Sequence, residues 1–445
     1  MDERRLQELL QEKKYVTLKN ELEELNPVDI AELLGYLDVY TRLLIFRMLA
    51  KDLAVEVFAH FTPEEQRDII GLVTDKELKL IVEELFFDDM VDLIEEMPAN
   101  IVKKILRHAN KEERDLINQF LKYPPDSAGS IMTIEYVDLK KESTVKDALN
   151  HIKRAGLDKE TVYTCYVTDN NRKLEGIVSL RKLVISDEDE TIEDIMDEDV
   201  IYVHTHDDQE MVAAIFKRYG FLALPVVDKE NRLTGIITVD DIMDVIDQEA
   251  TEDFQKMAAM APSEEKYLDT SIFDLAKHRV GWLLILMISA TFTGNIIRKF
   301  EDVLSSVVIL TSFIPMLMDT GGNSGNQSST LVIRGLALGE IELKDVLKVM
   351  WKEFRISVMV GLSLSVINFF RIYLLDKVGW AVALTVSSTL FITVMIAKVL
   401  GATLPMIAKK LKIDPAIMAG PLITTIVDAI SLMVYFSIAS WIIKF

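Results

Sequence analysis

The residue with the clearest chemistry is Asp428, in "AGPLITTIVDAISLMVYF", where it lies eight residues past Gly420 in an otherwise apolar stretch. On a helix that offset is about 12 Å, deep enough to stand in hydrocarbon. A charged aspartate at such a depth costs roughly 2.5 to 3.5 kcal/mol on insertion scales, so it must face a partner or water. No Lys or Arg lies near it in this stretch. Helical spacing puts Thr424, Asp428, Ser431 and Tyr435 on one stripe. A carboxylate between hydroxyls suits a cation site; a protonated aspartate hydrogen-bonded inside a bundle is the structural alternative. The second such stretch is "FIPMLMDTGGNSGNQSST", Phe313 to Thr330, which interrupts apolar sequence with three glycines, two asparagines and an aspartate. Non-helical backbone at membrane depth survives only where protein buries it or where it lines a watery cavity. Gly321, Gly322 and Gly325 alone fit a close helix-packing seam. Asn323, Asn326, Gln327, Ser328, Ser329 and Thr330 add oxygens that suit a hard cation or its water shell.

Acidic residues dominate elsewhere. "LFFDDMVDLIEEM" sets Asp88, Asp92 and Glu96 at i, i+4 and i+8, three acids on one helix face that ask for a counter-ion. "VDDIMDVIDQEATEDF" adds Asp241, Asp244, Glu252 and Asp253, and "DDQEMV" adds Glu210. A solvated face remains the alternative for any one of them. Residues from Ser271 onward hold 11 of the 71 acids and 16 of the 49 bases, so the first 270 carry an excess of about 27 negative charges. Such a surface repels nucleic acid and anionic lipid and favours cations as small partners. Cys165 stands alone, which excludes an internal disulfide and a cysteine zinc site. The N-terminus has no apolar core of a signal peptide, which places this half in the cytoplasm.

The elements that must position these groups fall into four parts. Residues 1–125 form an acidic helical domain in which "NPVDIAELL", "TPEEQRDII" and "TDKELKLIV" open short leucine-rich helices at Asn26, Thr62 and Thr74, with Pro63 and Glu65 completing a capping box. Their recurrence predicts a small solenoid of stacked helical pairs. After "KYPPDSAGS", residues 126–247 hold a duplication, in which "GIVSL" is answered by "GIITV" and each copy reads strand, helix, strand, turn, strand, helix. This pair resembles tandem cystathionine-beta-synthase (CBS) domains. Residues 248–273 read as a polar connecting helix, part of a rod that runs on to residue 279. Residues 274–445 hold five candidate membrane spans, at 280–297, 303–335 with the interruption, 356–375, 379–408 and 417–443. Lys and Arg gather before the first span and after the second and fourth, which puts those loops in the cytoplasm and the C-terminus outside.

"PMLMDTGGNSGNQSSTLVIRGLA", "DPAIMAGPLITTIVDAISLMVYF", the CBS pair and the acidic helical domain, in that order, resemble the MgtE family of magnesium channels over nearly the whole chain. The resemblance implies a multi-pass protein of the cell (inner) membrane. It implies a homodimer in which five-helix subunits enclose one cation pore, and an acidic cytoplasmic half with a plug helix that senses intracellular Mg2+ and closes that pore. Asp428 would then be the pore carboxylate, Thr424 would offer a backbone carbonyl, and Asn326 and Thr330 would line the pore. Asp88 and Asp92 match sensor positions. Asp414, in "KIDPAIM", reads equally well as a helix cap and as a metal ligand. ATP in the CBS cleft follows by family analogy, without a residue that decides it. Gly220 stands where an acid is expected in the family, which makes a smaller sensor set.

Other classes fit less well. A membrane protease would need a site such as HExxH, which is absent, and all six histidines lie outside the spans, His204 and His206 alternating on one strand. An anion or osmolyte carrier would need bases at membrane depth, where Lys398 is the one clear case, expected to snorkel outward. The chain therefore reads as a transporter and not an enzyme, the alternative being a broader Co2+ and Mn2+ carrier whose CBS domains sense nucleotide.

Overall fold

The computed structural model describes residues 1–156, 159–263, 267–268 and 270–443, apart from the side chains of Glu96, Glu112 and Glu113. The chain divides into two compact units, Met1–Ile246 and Asp247–Phe445.

Among the described residues the first unit opens with ten short helices, from α1 (Glu3–Gln11) to α10 (Lys111–Phe120). Their boundaries follow local chemistry. Asn26 accepts a bond from the Val28 amide at the start of α3 (Pro27–Gly35), and reciprocal capping boxes join Thr62 to Glu65 and Thr74 to Glu77 at α6 (Pro63–Leu72) and α7 (Asp75–Glu84). Packing pairs alternate helices, α3 on α5 (Lys51–Ala59), α5 on α7, and α6 on α8 (Phe87–Glu96), which is the stacking of a solenoid. Arg42 is buried, and its guanidinium donates to the Leu34, Gly35 and Leu37 carbonyls at the end of α3 and pairs with Glu65 at 3.2 Å.

The duplicated region forms two three-stranded sheets of the same topology. In the first, β1 (Val137–Leu139) runs parallel to β2 (Thr164–Thr168), which pairs antiparallel with β3 (Leu174–Ser179). In the second, β4 (Val203–His204), β5 (Ala223–Val227) and β6 (Leu233–Thr238) repeat the arrangement, bulge included. Helices α11 (Val145–Ala155), α12 (Leu180–Ile185), α13 (Ile192–Ile195) and α14 (Gln209–Tyr219) fill the crossovers, and α15 (Val239–Met257) follows β6. Gly220 ends α14 with φ of 66°, a left-handed cap that a side chain would strain, which accounts for a glycine where an acid was expected.

The polar stretch from 248 to 279 is not one rod. Helix α15 stops at Met257, Ala259 takes a positive φ, Pro262 follows, and helix resumes at Ser271 as the cap of α16 (Ile272–Lys299). Beyond α16 come α17 (Glu301–Ser306), a 3-10 turn at Val308–Phe313, α18 (Ile314–Ala337), α19 (Val346–Phe370), α20 (Trp380–Lys410) and α21 (Pro421–Ile442). Among the described residues four helices, α16, α19, α20 and α21, are long and apolar enough to cross a membrane, and α18 falls short in apolarity. The expected interruption of the second span is absent: α18 is helical throughout the glycine-rich segment. Glycine costs about 1 kcal/mol in a helix interior, and tertiary packing overrides it. A Cβ on Gly321 would stand 2.8 Å from Thr393, one on Gly322 2.8 Å from Thr424, and one on Gly325 2.7 Å from Ile423, so these three let α18 sit against α20 and α21.

Candidate functional site

Close packing along one face of α18 turns its opposite face outward. Asn323, Gln327 and Thr330 are exposed and Asn326 half-buried, whereas Gly321, Gly322, Gly325, Ser328 and Ser329 are buried. The packing seam is therefore present on one side of the segment, and the other side carries exposed polar residues. Asp428 lies midway along α21, half-buried, with its Oδ1 lacking any hydrogen-bond partner among the described residues. Asn326 Oδ1 is likewise buried and unpartnered, while its Nδ2 reaches Thr424 Oγ1 at 3.5 Å. Two orphaned acceptor oxygens on facing helices are what a cation or its bound water would satisfy. The rest of the expected stripe on α21 serves packing: Ser431 is buried near Gly321, and the Tyr435 hydroxyl donates to the Leu310 carbonyl at 2.9 Å.

A cleft of about 860 Å³ opens beside α18, lined by Asn323, Asn326, Gln327, Thr330, Glu353 and Lys398. Lys398 does not snorkel: it is 4% exposed, and its ammonium donates to Gln327 Oε1 at 3.3 Å. Glu353 of α19, 8% exposed, accepts from Ser328 Oγ at 2.6 Å. Sequence reasoning passed over Glu353 because the apolar run begins after it. The structure carries α19 nearly three turns further back, to Val346, and brings the carboxylate against α18.

In the first unit Asp88 and Asp241 meet, together with acids that the sequence reading did not assign: Asp89, Glu135, Glu160 and Asp240. Burial, then repulsion from Asp241, Asp89 and Glu160, pushes the Asp88 carboxyl up to about 9. Burial, then repulsion from Asp241, Asp240, Asp89 and Glu135, pushes Glu160 up to about 7. Asp241 rises to about 6 through burial, although it accepts a 2.7 Å bond from Thr238. These carboxylates come from α8, α15 and the loop after α11, a convergence that no local spacing reveals. No three His, Cys, Asp or Glu side chains among the described residues are close enough to hold one ion directly. A hydrated Mg2+ needs only one or two carboxylates, so the donor type fits it. Asp92 is exposed one turn beyond Asp88, Glu210 and Asp244 are exposed on α14 and α15, and the Glu96 side chain lies outside the described residues. His204 and His206 hold no common site: His206 shares a bond with Thr205 and packs edge-on against Tyr123, and His204 faces Asp207.

In the second unit the end of α15 meets the loop before α21. Lys256 bonds Glu252 and Asp414 at 2.5 Å each. Burial works to lower its ammonium, but these bonds outweigh it and hold it above its ordinary range. Asp253 is pushed up to about 6 by burial and by Asp414. Asp414 is both the cap expected from sequence, accepting from the Ala416 amide at 2.8 Å, and half of an ion pair. A Cβ at Gly420, whose φ is 51°, would collide with the Met257 carbonyl, so glycine permits this approach.

Comparison with known proteins gives this arrangement its context. The MgtE family of divalent cation transporters matches residues 314–438, the MgtE intracellular N domain matches 25–126, and CBS domains match 128–187 and 192–248. The chain is 37% identical over 449 aligned residues to the magnesium transporter MgtE of Thermus thermophilus, covering 99% of this chain and 98% of that protein. It is 35% identical to the magnesium transporter MgtE of Bacillus subtilis, with 97% and 95% covered. Among solved structures, the cytosolic domain of the Mg2+ channel MgtE in complex with ATP is 38% identical with a TM-score of 0.51, covering 54% of this chain and 98% of that one. The soluble part of a magnesium transporter is 33% identical with a TM-score of 0.52, covering 56% and 98%. Helical N domain, CBS pair and long apolar helices all belong to one family's plan, and the chain is a member of the MgtE family of magnesium transporters, not an enzyme.

Proposed function

We propose that the protein carries Mg2+ inward along a path walled by α18 and α21, and that Mg2+ bound to its acidic cytoplasmic half closes this path. The observation that carries the reading is the pair of unpartnered acceptor oxygens, Asp428 Oδ1 and Asn326 Oδ1, beside the polar face of α18. Asp428 supplies the charge, the Thr424 carbonyl and Asn326 flank it, and Thr330 continues the wall toward the cytoplasm. A single carboxylate per subunit suits a metal that sheds water reluctantly and is held through its waters. A second subunit completes the pore around the two-fold axis; α16, of which Thr293 alone is buried, leaves a long apolar surface for lipid or that partner. The N-terminal domains and the base-rich loops lie in the cytoplasm, and the C-terminus lies outside.

Closure is electrostatic. Without metal, burial keeps a proton on Asp88 at neutral pH beside the charged acids around it, and Mg2+ bound among Asp88, Asp241 and their neighbours, with Asp92, Glu96, Glu210 and Asp244 adding to the field, displaces that proton and neutralises the group. Glu252, Asp253 and Asp414 form a second regulatory group at the end of α15. Metal must favour the closed state over the open one, because equal affinity for both would shift nothing. ATP binding at the CBS pair follows the related cytosolic domain that was solved with it. A broader divalent carrier that also passes Co2+ or Mn2+ is favoured by the general description of the matching transporter family.

The test is Mg2+ uptake into proteoliposomes with low internal Mg2+, comparing wild type with Asp428→Ala. Loss of uptake in the folded variant is expected. Equal uptake would return Asp428 to a structural role.

A further inference from the structure

Asp319 occupies the second turn of α18 and has no assigned role. It is exposed in the subunit, and no Lys or Arg among the described residues pairs with it. Its spacing is informative. Asp319, Asn323, Asn326 and Thr330 fall at i, i+4, i+7 and i+11, which is one stripe along the helix, opposite the glycines that pack against α20 and α21. An aspartate facing lipid from a membrane helix would cost roughly 2.5 to 3.5 kcal/mol, so the face that holds Asp319 must be wet or polar.

The glycine contacts also fix the register between helices. Gly321 lies against Val427 and Ser431, Gly322 against Thr424, and Gly325 against Ile423, so α18 and α21 run antiparallel. Asp428 is therefore level with the Gly321–Gly322 pair. Asp319, one turn toward the N-terminal end of α18, stands on the far side of Asp428 from Asn326, about 10 Å along the helix from the latter. It lies within electrostatic reach of Asp428. The unpartnered Asp428 Oδ1 and Asn326 Oδ1 complete the same wall.

We propose that Asp319 is a second carboxylate on the ion path, placed one turn outside Asp428, where it holds the hydrated divalent cation through its waters before Asp428 receives it. The proposal rests on the reading that α18 and α21 wall the path. Two acids in sequence, with amide and hydroxyl groups beyond them, form a graded series of outer-sphere contacts. The outer acid concentrates the cation and sets the external concentration at which uptake saturates; the inner one is required for passage.

The experiment uses the full chain in proteoliposomes with low internal Mg2+, measuring uptake against external Mg2+ for wild type, Asp319→Asn, Asp319→Glu and Asp428→Asn. For Asp319→Asn the half-saturating Mg2+ concentration should rise about tenfold while the maximal rate changes less than about twofold. Asp319→Glu should restore most of the affinity, and Asp428→Asn should be inactive at every concentration. Wild-type saturation in Asp319→Asn beside a dead Asp428→Asn would overturn the role of Asp319 alone. An active Asp428→Asn would instead overturn the path on which it rests. Asp319→Cys gives an independent measurement, since the one native cysteine, Cys165, is buried. A cationic, water-soluble thiol reagent added outside should block uptake by this variant, and Mg2+ should slow the block. Absence of labelling would mean that the side chain does not face the water-filled path.

Discussion

Replacing Asp88 by Asn should make the unit Met1–Ile246 more stable in metal-free buffer at neutral pH and above. The carboxyls of Asp88, Glu160 and Asp241 are pushed up to about 9, 7 and 6, first by burial and then by neighbouring acids. A raised carboxyl contributes stability that is complete below its ordinary value near 4 and is lost as pH climbs toward its folded value. At pH 7 the folded unit therefore holds about 1.6 more protons on these groups than the unfolded chain, nearly one of them on Asp88. The corresponding slope is a loss of about 2 kcal/mol per pH unit, reduced to about 1 by water that reaches these half-buried groups. Asparagine removes the largest share. The slope should fall by more than half, and at pH 7 the variant should gain about 2 kcal/mol after the same discount, or roughly 4 to 8 °C in Tm for a unit of this size. Carboxyls with lowered values, such as Glu77 at about 2 beside Arg47, titrate far below this window. The assay is thermal and urea unfolding from pH 6 to 8.5 in chelator, repeated with millimolar Mg2+, which should stabilise wild type more than the variant. A wild type that gains stability as pH rises, or an Asp88→Asn variant with the same slope and Tm, would refute the buried acidic cluster.

Lys256 pairs with Glu252 and Asp414, acids proposed to bind regulatory Mg2+, so Lys256→Gln should lower the internal Mg2+ needed for half-inhibition of uptake several-fold; an unchanged inhibition curve would separate this ion pair from closure. Gly325→Leu forces a side chain into Ile423 and should destabilise the membrane unit by about 1 to 3 kcal/mol, read as a lower unfolding temperature in detergent. Glu353→Gln keeps a group able to bond Ser328 and should transport near the wild-type rate, whereas Glu353→Ala leaves the buried Ser328 hydroxyl without that partner, costs about 1 to 3 kcal/mol and should unfold at lower temperature.

Local chemistry was legible in the sequence and long-range convergence was not. Asn26, Thr62 and Thr74 announce helices because a cap involves only three or four neighbouring residues, and each caps as read. The duplicated CBS pattern announces two matching sheets for the same reason. Helix α18 was misread as interrupted because propensity counts the glycines as breakers, while their partners, Thr393, Ile423 and Thr424, lie about 70 to 100 residues away. Glu160 and Lys256 were passed over because nothing near them in the chain hints at Asp88 or Asp414. Lys398 was expected at an interface, and its amide partner Gln327 instead keeps it inside. Asp428 and Asn326 stood out because their side chains conflict with the apolar sequence around them.

Continuity of α18 has an electrical consequence. From Asp319 to Thr330 its polar face extends about 16 Å, roughly half of a 30 Å hydrocarbon core. Water and mobile ions in the proposed path would flatten the field along that half, so that an inside-negative membrane potential would drop mainly across the remaining apolar length. A divalent ion crossing the full potential gains about 5 kcal/mol per 100 mV. Along the proposed path a divalent ion would therefore be drawn inward by an inside-negative potential in addition to any Mg2+ gradient.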